Sequence, residues 1–512
     1  MFLSQSIAGG CQTKLCDPLR AALPSTFTRP STCVRNQSAK ALSACETGGG
    51  HWPLGSGRCD GRKCQTRNSS HAWGLPTTSC PCSSGFLLHK YPQLHTQWLK
   101  EGKVLLHCAD APGLGNFIIT LVTGWLISLL LGRAFVIGCG TEVDSNLPIS
   151  IFSDYFRGAH FDWRSDRSKY HSNQIKEAGS SLNLSASIVI AWARGEPSST
   201  SSRVLPARAA ALFANVTMYG HIRAFFADAY PLVRLSAGPH DVFKGLLHNT
   251  DIYEHLVSIM GDTGAALLLQ GLRADDAIGS KPLGCALRYL MAPTTRLQEL
   301  VNDLALPHEQ TSPMLRTVAL HMRLGDNSFF SDQSASSNGN PGQQTWGYAR
   351  ERRYPFVRFR PTFVLQCLSL AIEEVSRPCY QAVVVSDNAD FISCAQRRLP
   401  HALYTPGTAV HVGASMQSLV DRRNVDKIYL DWWLLASSNG GLRITDIESN
   451  SIRSAMSTFA GTAQSFRLAT SHSAWVTVLH VPTSHAQAAV ATDQVLLRAC
   501  RLRRYSGSSM PI

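Results

Sequence analysis

At 512 residues, with 44% hydrophobic and 16% charged side chains, the chain has room for two or three domains and the composition of a soluble globular protein. Its net charge of +13 is unevenly spread: the first 100 residues hold 11 Lys/Arg against 3 Asp/Glu, and the other 412 hold 37 against 32. That mildly basic remainder suits a small anionic substrate, and with no RNP-type aromatic pattern, zinc-finger spacing or long basic helix it gives no reason to expect a nucleic-acid partner.

Residues 1–88 read as a low-order leader, rich in Ser, Thr, Gly and Pro with few apolar runs. Eight of the 15 cysteines lie there: Cys11, Cys16, Cys33, Cys45, Cys59, Cys64, Cys80 and Cys82. No Cys-x-x-Cys pair with matching histidines is present, which argues against a zinc site; a disulfide-bearing luminal segment is the other reading of these cysteines. No basic n-region followed by an apolar stretch opens the chain, and the first 45 residues contain only Asp17 as an acid, a composition similar to an organelle transit peptide. Asparagine sequons begin at Asn36, Asn68, Asn183 and Asn215.

From residue 89 the pattern changes to apolar strands alternating with helices, the signature of a parallel sheet. A strand is predicted at 104–108, a glycine turn at Gly113 and Gly115, a helix over 117–131 and a strand over 134–137. The helix falls short of the roughly 20 apolar residues a membrane span needs, so it is read as buried in protein. Further along come a strand at 187–192, helices at 207–214, 220–229, 242–248 and 251–272, and two short helices over 288–304 interrupted at Pro293. This unit, 89–308, gives way to a second over 315–470. There, an apolar strand that starts at Thr317 and ends in a histidine, an arginine and a Gly-Asp turn by Asp326 precedes a long polar loop, a helix at 363–374, a strand at 381–386 and a helix at 390–397. Short strands at 403–404 and 410–412 are followed by an apolar helix around Trp432 and Trp433, read as core anchors, with Asp431 a lesser candidate for a ligand contact. The C-terminal extension, 471–512, holds one strand candidate at 475–481 and a basic cluster (Arg498, Arg501, Arg503, Arg504) read as solvated surface. Cys108, Cys367 and Cys394 sit in apolar contexts and are expected to be inert packing.

Two motifs carry chemistry. The first is Gly113-Leu114-Gly115-Asn116, where glycines permit a sharp turn and close backbone approach at a helix start. The second is His321-Met322-Arg323-Leu324-Gly325-Asp326 at the end of an apolar strand. A planar guanidinium at the carboxyl end of a parallel strand is placed to grip phosphate oxygens in pairs. A surface arginine paired with a nearby carboxylate is the plainer reading of the same residues.

Taken together, and with four further segments in order, these motifs resemble the fucosyltransferase superfamily. The segments are 284–294 (G-C-A-L-R-Y-L-M-A-P-T), 381–387 (Q-A-V-V-V-S-D), 429–436 (Y-L-D-W-W-L-L-A) and 457–463 (S-T-F-A-G-T-A). The likeness spans roughly residues 100–470, and departs from the pattern at Met322 and Leu324, where many relatives carry a second basic residue. It implies an α/β chain of two facing Rossmann-like domains (a GT-B-like fold) behind the cysteine-containing leader, with the acceptor-side domain at 89–308 and the donor domain at 315–470. It further implies GDP-fucose as co-substrate, a glycan or glycoprotein acceptor, metal-independent transfer and a Golgi or ER lumen setting, at odds with the transit-like leader. Arg323, Asn116 and Asp326 take the catalytic positions, and Gly113, Gly115, His321, Ser386, Asp387, Ser457, Thr458 and Phe459 the donor-binding ones. No Asp-x-Asp motif suited to a metal is present, so fixed dipoles and Arg323 are expected to carry the leaving-group charge. Two other classes stay open: an inactive carbohydrate- or nucleotide-binding relative, and another nucleotide-dependent transferase such as a sulfotransferase.

Overall fold

The computed structural model describes residues 84–109, 113–138, 152–164, 181–186, 189–190, 232–237, 243–274, 277–309, 316–322, 380–387, 389–400, 402–407, 422–438, 440–446, 458–470, 475–481 and 501–506. Around one sheet lie helix α1 (Tyr91–Lys100), strand β1 (Val104–Ala109), helix α2 (Leu114–Leu131) and strand β2 (Ala134–Ile137). A short α3 (Phe152–Tyr155) and β3 (Phe156–Arg157) lead to β4 (Ser181–Ser185) and β5 (Leu232–Ala237). Then follow α4 (Phe243–Leu247), α5 (Thr250–Met260), α6 (Thr263–Arg273), α7 (Lys281–Leu290), β6 (Ala292–Pro293) and α8 (Thr295–Glu309). The second sheet draws on β7 (Arg316–Met322), β8 (Tyr380–Ser386), β9 (Gly440–Asp446), β10 (Trp475–Val481) and β11 (Arg501–Ser506), with helices α9 (Ala389–Arg398), α10 (Arg422–Ser437) and α11 (Thr458–Thr470).

The first sheet has the order β2-β1-β5-β4 and every pairing in it is parallel. The second has the order β11-β10-β9-β7-β8, parallel except for antiparallel β11. This is an α/β chain with parallel sheets, as the alternation of apolar strands and helices predicts. Val104, Leu106, Val318, Leu320, Val383 and Val385 are all buried in these strands. One continuous cluster of buried apolar side chains runs from Phe86 to Ala469 and packs elements around both sheets together. Since Phe86 and Leu87 belong to it, ordered packing starts inside the stretch assigned to the leader.

Local chemistry sets the element ends. Helix α2 closes on Gly132, whose left-handed φ of 62° lets its own N–H bond Leu129 O and the next one, on Arg133, bond Ser128 O. At 18 residues α2 is long and apolar enough to cross a membrane, yet 94% of it is buried inside the protein. The helix predicted over 251–272 is two helices, because Gly261 takes a left-handed φ of 70° and the Asp262 carboxylate then accepts the Ala265 N–H at 2.7 Å. The second oxygen of Asp262 accepts from the Ser84 hydroxyl (2.6 Å) and the Phe86 N–H (2.8 Å), anchoring the N-terminal segment.

Several expectations are corrected. A strand lies at Ser181–Ser185, and of the stretch 187–192 the described residues, Val189 and Ile190, are helical. A short apolar run cannot be told from a buried helix by periodicity, and an edge strand alternates too weakly to stand out. Strands β5, β9 and β11 went unpredicted, and the arginines Arg501, Arg503 and Arg504 belong to the paired edge strand β11. Charged residues on such an edge discourage pairing with other chains. Pro293 lies in the short β6, between separate helices α7 and α8. Cys108 is disulfide-bonded and not merely packed, as is Cys285. The leader through residue 83, the helices expected at 207–214, 220–229 and 363–374, the strand at 410–412 and the loop after Asp326 lie outside the described residues.

Candidate active site

The site begins at the carboxyl end of β1, where ligands of open α/β sheets bind. Gly113 is extended and its carbonyl accepts the Phe117 N–H at 2.9 Å, so the helix starts abruptly. Gly115 then meets the first turn of α11, from the far end of the sequence. A Cβ on Gly115 would stand 2.2 Å from the Phe459 nitrogen and 2.5 Å from the Thr458 carbonyl carbon. Backbone cannot yield as a flexible side chain can, so only glycine fits there. Asn116, the next residue, is half-buried at this junction.

The third component arrives from β7. The His321 ring, half-buried near the carboxyl end of that strand, lies 5.4 Å from the Phe459 ring at 34°. One strand over, Ser386 pairs in register with Met322, is buried, and is followed by half-buried Asp387. Gly113, Gly115, Asn116, His321, Thr458 and Phe459 are thus brought into one place, with Ser386 and Asp387 on the neighbouring strand end. Arg323, Asp326 and Ser457 lie outside the described residues; in sequence Arg323 directly follows the last residue of β7, and Ser457 directly precedes the first of α11.

Two helices of 18 and 13 residues start at this junction. The first amides of a helix have no acceptor within the helix and its aligned peptide dipoles favour negative charge at that end, and two such termini together do so more strongly than one. The first turn of α11 is held rigid from below. The Thr462 hydroxyl lies 2.9 Å from Thr458 O and 3.0 Å from Phe459 O, and accepts the Trp432 indole N–H at 3.0 Å. Trp432 and Trp433 are both buried against α11, as the flanking leucines predict.

Beneath α2, His107 is enclosed, and burial pushes its imidazole down to about 3, so it is neutral. Its Nε2 lies 3.2 Å from the Thr120 hydroxyl, and Nδ1 occupies the space a Cβ on Gly124 would take. Asp431 is committed elsewhere: one carboxylate oxygen accepts from Lys427 at 2.9 Å and the other from the Thr405 hydroxyl, which accepts from Lys427 at 2.5 Å. Burial raises the Asp431 carboxyl above its ordinary range, with Lys427 opposing that shift. This closed pair is a tether between α10 and the Thr405 turn, not a ligand contact. Among the described residues no group of three or more His, Cys, Asp or Glu is arranged to hold a metal ion.

The sequence reading missed what holds α11 in place: Gly279, Gln464, Ser465 and Arg467. The buried Arg467 donates from Nε to Leu435 O at 2.9 Å, near the negative end of α10, and its guanidinium fills the space beside Gly441. Burial pushes it down to about 10. Only the double glycine at 440–441 hinted at such a close approach.

No protein-family model matches the chain, and no curated protein matches it by sequence. Among solved structures it is similar to a point mutant of Arabidopsis thaliana FUT1 in complex with GDP. The TM-score is 0.39 at 13% identity, covering 78% of this chain and 79% of that one. It is also similar to the α-1,6-fucosyltransferase NodZ soaked with GDP-fucose, with TM-score 0.36, 10% identity and coverage of 79% and 99%. POFUT1 in complex with GDP-fucose gives TM-score 0.31, 10% identity and coverage of 72% and 94%. These are fucosyltransferases, the group whose motifs the sequence resembles.

Proposed function

We propose that the chain is a glycosyltransferase that moves fucose from GDP-fucose to a hydroxyl of a glycan or protein, with two Rossmann-like halves facing across the junction just described. The observation that carries this reading is the meeting of Gly115, His321 and Phe459. Three motifs separated by some 200 and 140 positions converge where two helix N-termini and a parallel strand end come together.

In this reaction the acceptor oxygen bonds to the anomeric carbon as the bond to the β-phosphate oxygen breaks. The acceptor proton passes to a base, and GDP departs with the bonding electrons. Rate then depends on stabilising the charge that grows on the diphosphate. The first-turn amides of α2 and α11 supply fixed dipoles, and Arg323, the residue after β7, supplies a two-pronged cation. Ser457, Thr458 and Phe459 line the diphosphate, with Gly113 allowing its approach, Gly115 letting the start of α11 close against α2 beside it, and His321 nearby. Ser386 and Asp387 lie toward the nucleoside. Asn116 orients the reacting centre, and Asp326 either aligns Arg323 or takes the acceptor proton. Fixed groups of this kind serve without a metal.

The test is donor transfer by Arg323→Ala and Arg323→Lys. A charge-assisted hydrogen bond is worth about 1.5–3 kcal/mol, and more where charge develops in the transition state. Arg323→Ala is expected to lose nearly all turnover with a smaller loss of GDP affinity. Arg323→Lys recovers little, because an ammonium cannot replace a fork. Added chelator leaves the rate unchanged. Full activity in Arg323→Ala, or GDP binding with no transfer by the parent to any acceptor and no donor hydrolysis, counts against the assignment.

A further inference from the structure

Helix α11 follows β9 of the second sheet in sequence, yet it beds on α7 and α2, which belong to the first. Three points along one segment read its position. At the turn before α7, Gly279 is buried with φ of 93°; its N–H donates to Ser465 Oγ at 2.8 Å and its carbonyl accepts from Gln464 Nε2 at 3.0 Å. Ser465 is fully enclosed and Gln464 nearly so. Within α7, a Cβ on Gly284 would stand 1.8 Å from the Ser465 carbonyl oxygen, so the two helices touch backbone to backbone. At the end of α7, Arg288 donates to Ala469 O at 2.8 Å.

Apolar packing alone lets a helix slide or roll by small amounts, whereas paired buried donors and acceptors admit one register, since each unmade bond carries a desolvation cost. Both polar groups of Gly279 are read by adjacent residues of α11, so rotation and translation of that helix are fixed together. The first turn of α11 lies about 9 Å up the helix from this point, at 1.5 Å per residue. We infer that Gln464 and Ser465 are positioning residues: through Gly279 the first half of the chain sets where Thr458 and Phe459 present their amides to the nucleotide diphosphate. This role rests on the transferase reading above.

The experiment uses the full chain carrying Ser465→Ala, Gln464→Leu and both together, with Asn249→Ala, which removes the N-cap of α5, as a destabilised control. Hydrogen exchange is followed in the peptide spanning 458–463, and GDP affinity is titrated below each variant's melting transition. Exchange at the first turn of α11 is expected to quicken at least tenfold in the double variant, with GDP affinity about 5–20-fold weaker. The control is expected to melt earlier while holding GDP as tightly as the parent. Unchanged exchange in the double variant overturns the clasp, and the single variants carry the same comparison if the double fails to fold. Faster exchange with unaltered GDP affinity overturns its positioning role alone. A parent that binds no GDP overturns instead the transferase reading on which that role rests.

Discussion

Helices α2 and α11 start at the same junction and are both enclosed, but by opposite means. Seventeen of the 18 residues of α2 are buried and most are aliphatic or aromatic, so burial follows from removing apolar surface from water. The enclosed run of α11, Gly461–Ala469, includes Thr462, Gln464, Ser465 and Arg467, each bonded to a backbone or side-chain partner on another element or one turn back. One helix is held by composition and the other by addresses. Along α11 the register is therefore written in paired polar groups, whereas along α2 it rests on side-chain shape and on close contacts at Gly115 and Gly124.

The strongest way to break this pairing is to force the two helices apart where they touch. Gly115→Val places methyl groups against the Phe459 backbone. It is expected to cost at least ~3 kcal/mol in urea unfolding and to remove GDP binding in whatever folds. Wild-type affinity in that variant would show that the contact is incidental to the site.

The contrast in mechanism predicts different responses to losing one side chain. Leu126→Ala in α2 deletes fully buried methyl groups and is expected to cost about 3–4 kcal/mol, with GDP affinity per folded molecule unchanged. Arg467→Met in α11 keeps the volume and removes a cation that burial already disfavours, leaving only the Leu435 carbonyl short of a donor. That variant is expected to cost about 1–2 kcal/mol while weakening GDP binding. If both variants alter stability alone, the distinction between the helices fails.

Acid sharpens the same comparison at the base of α2. His107 is neutral in the folded protein because burial depresses its pKa to about 3, and burial lowers His95 as well. An unfolded histidine gains its proton near 6.5, so the unfolded chain binds protons first as pH falls. Stability is fully present above about pH 6.5 and declines below it toward pH 3, by roughly 1 kcal/mol per unit for a single group. Equilibrium unfolding across pH 4–7 checks the sign, and His107→Gln is expected to flatten the slope.

The same contrast explains what sequence reading reached. The parallel strands and α2 announce themselves through apolar runs, and Gly113 and Gly115 mark the turn where a backbone must approach. The junction with Phe459 was legible only because motif order resembled a known superfamily; no spacing within the chain places Gly115 beside residue 459. Gln464, Ser465 and Arg467 read as an ordinary mixed helix, since polar residues betray burial only through partners folded in from elsewhere. Strand β11 hid behind its arginines, and β9 behind Gly440 and Gly441, the latter needed to admit the Arg467 guanidinium.

The central claim is that this junction binds a guanosine diphosphate through Arg323 and two helix starts. Thermal unfolding of the full chain with GDP, UDP, CMP or adenosine 3′,5′-bisphosphate, beside Arg323→Ala, tests it directly, because a ligand held only by the folded state raises the melting temperature by mass action. The account predicts a rise with GDP, little with the other three, and loss of most of the GDP response in Arg323→Ala. Stabilisation by the bisphosphate in preference to GDP, or a GDP response undiminished in Arg323→Ala, would contradict it.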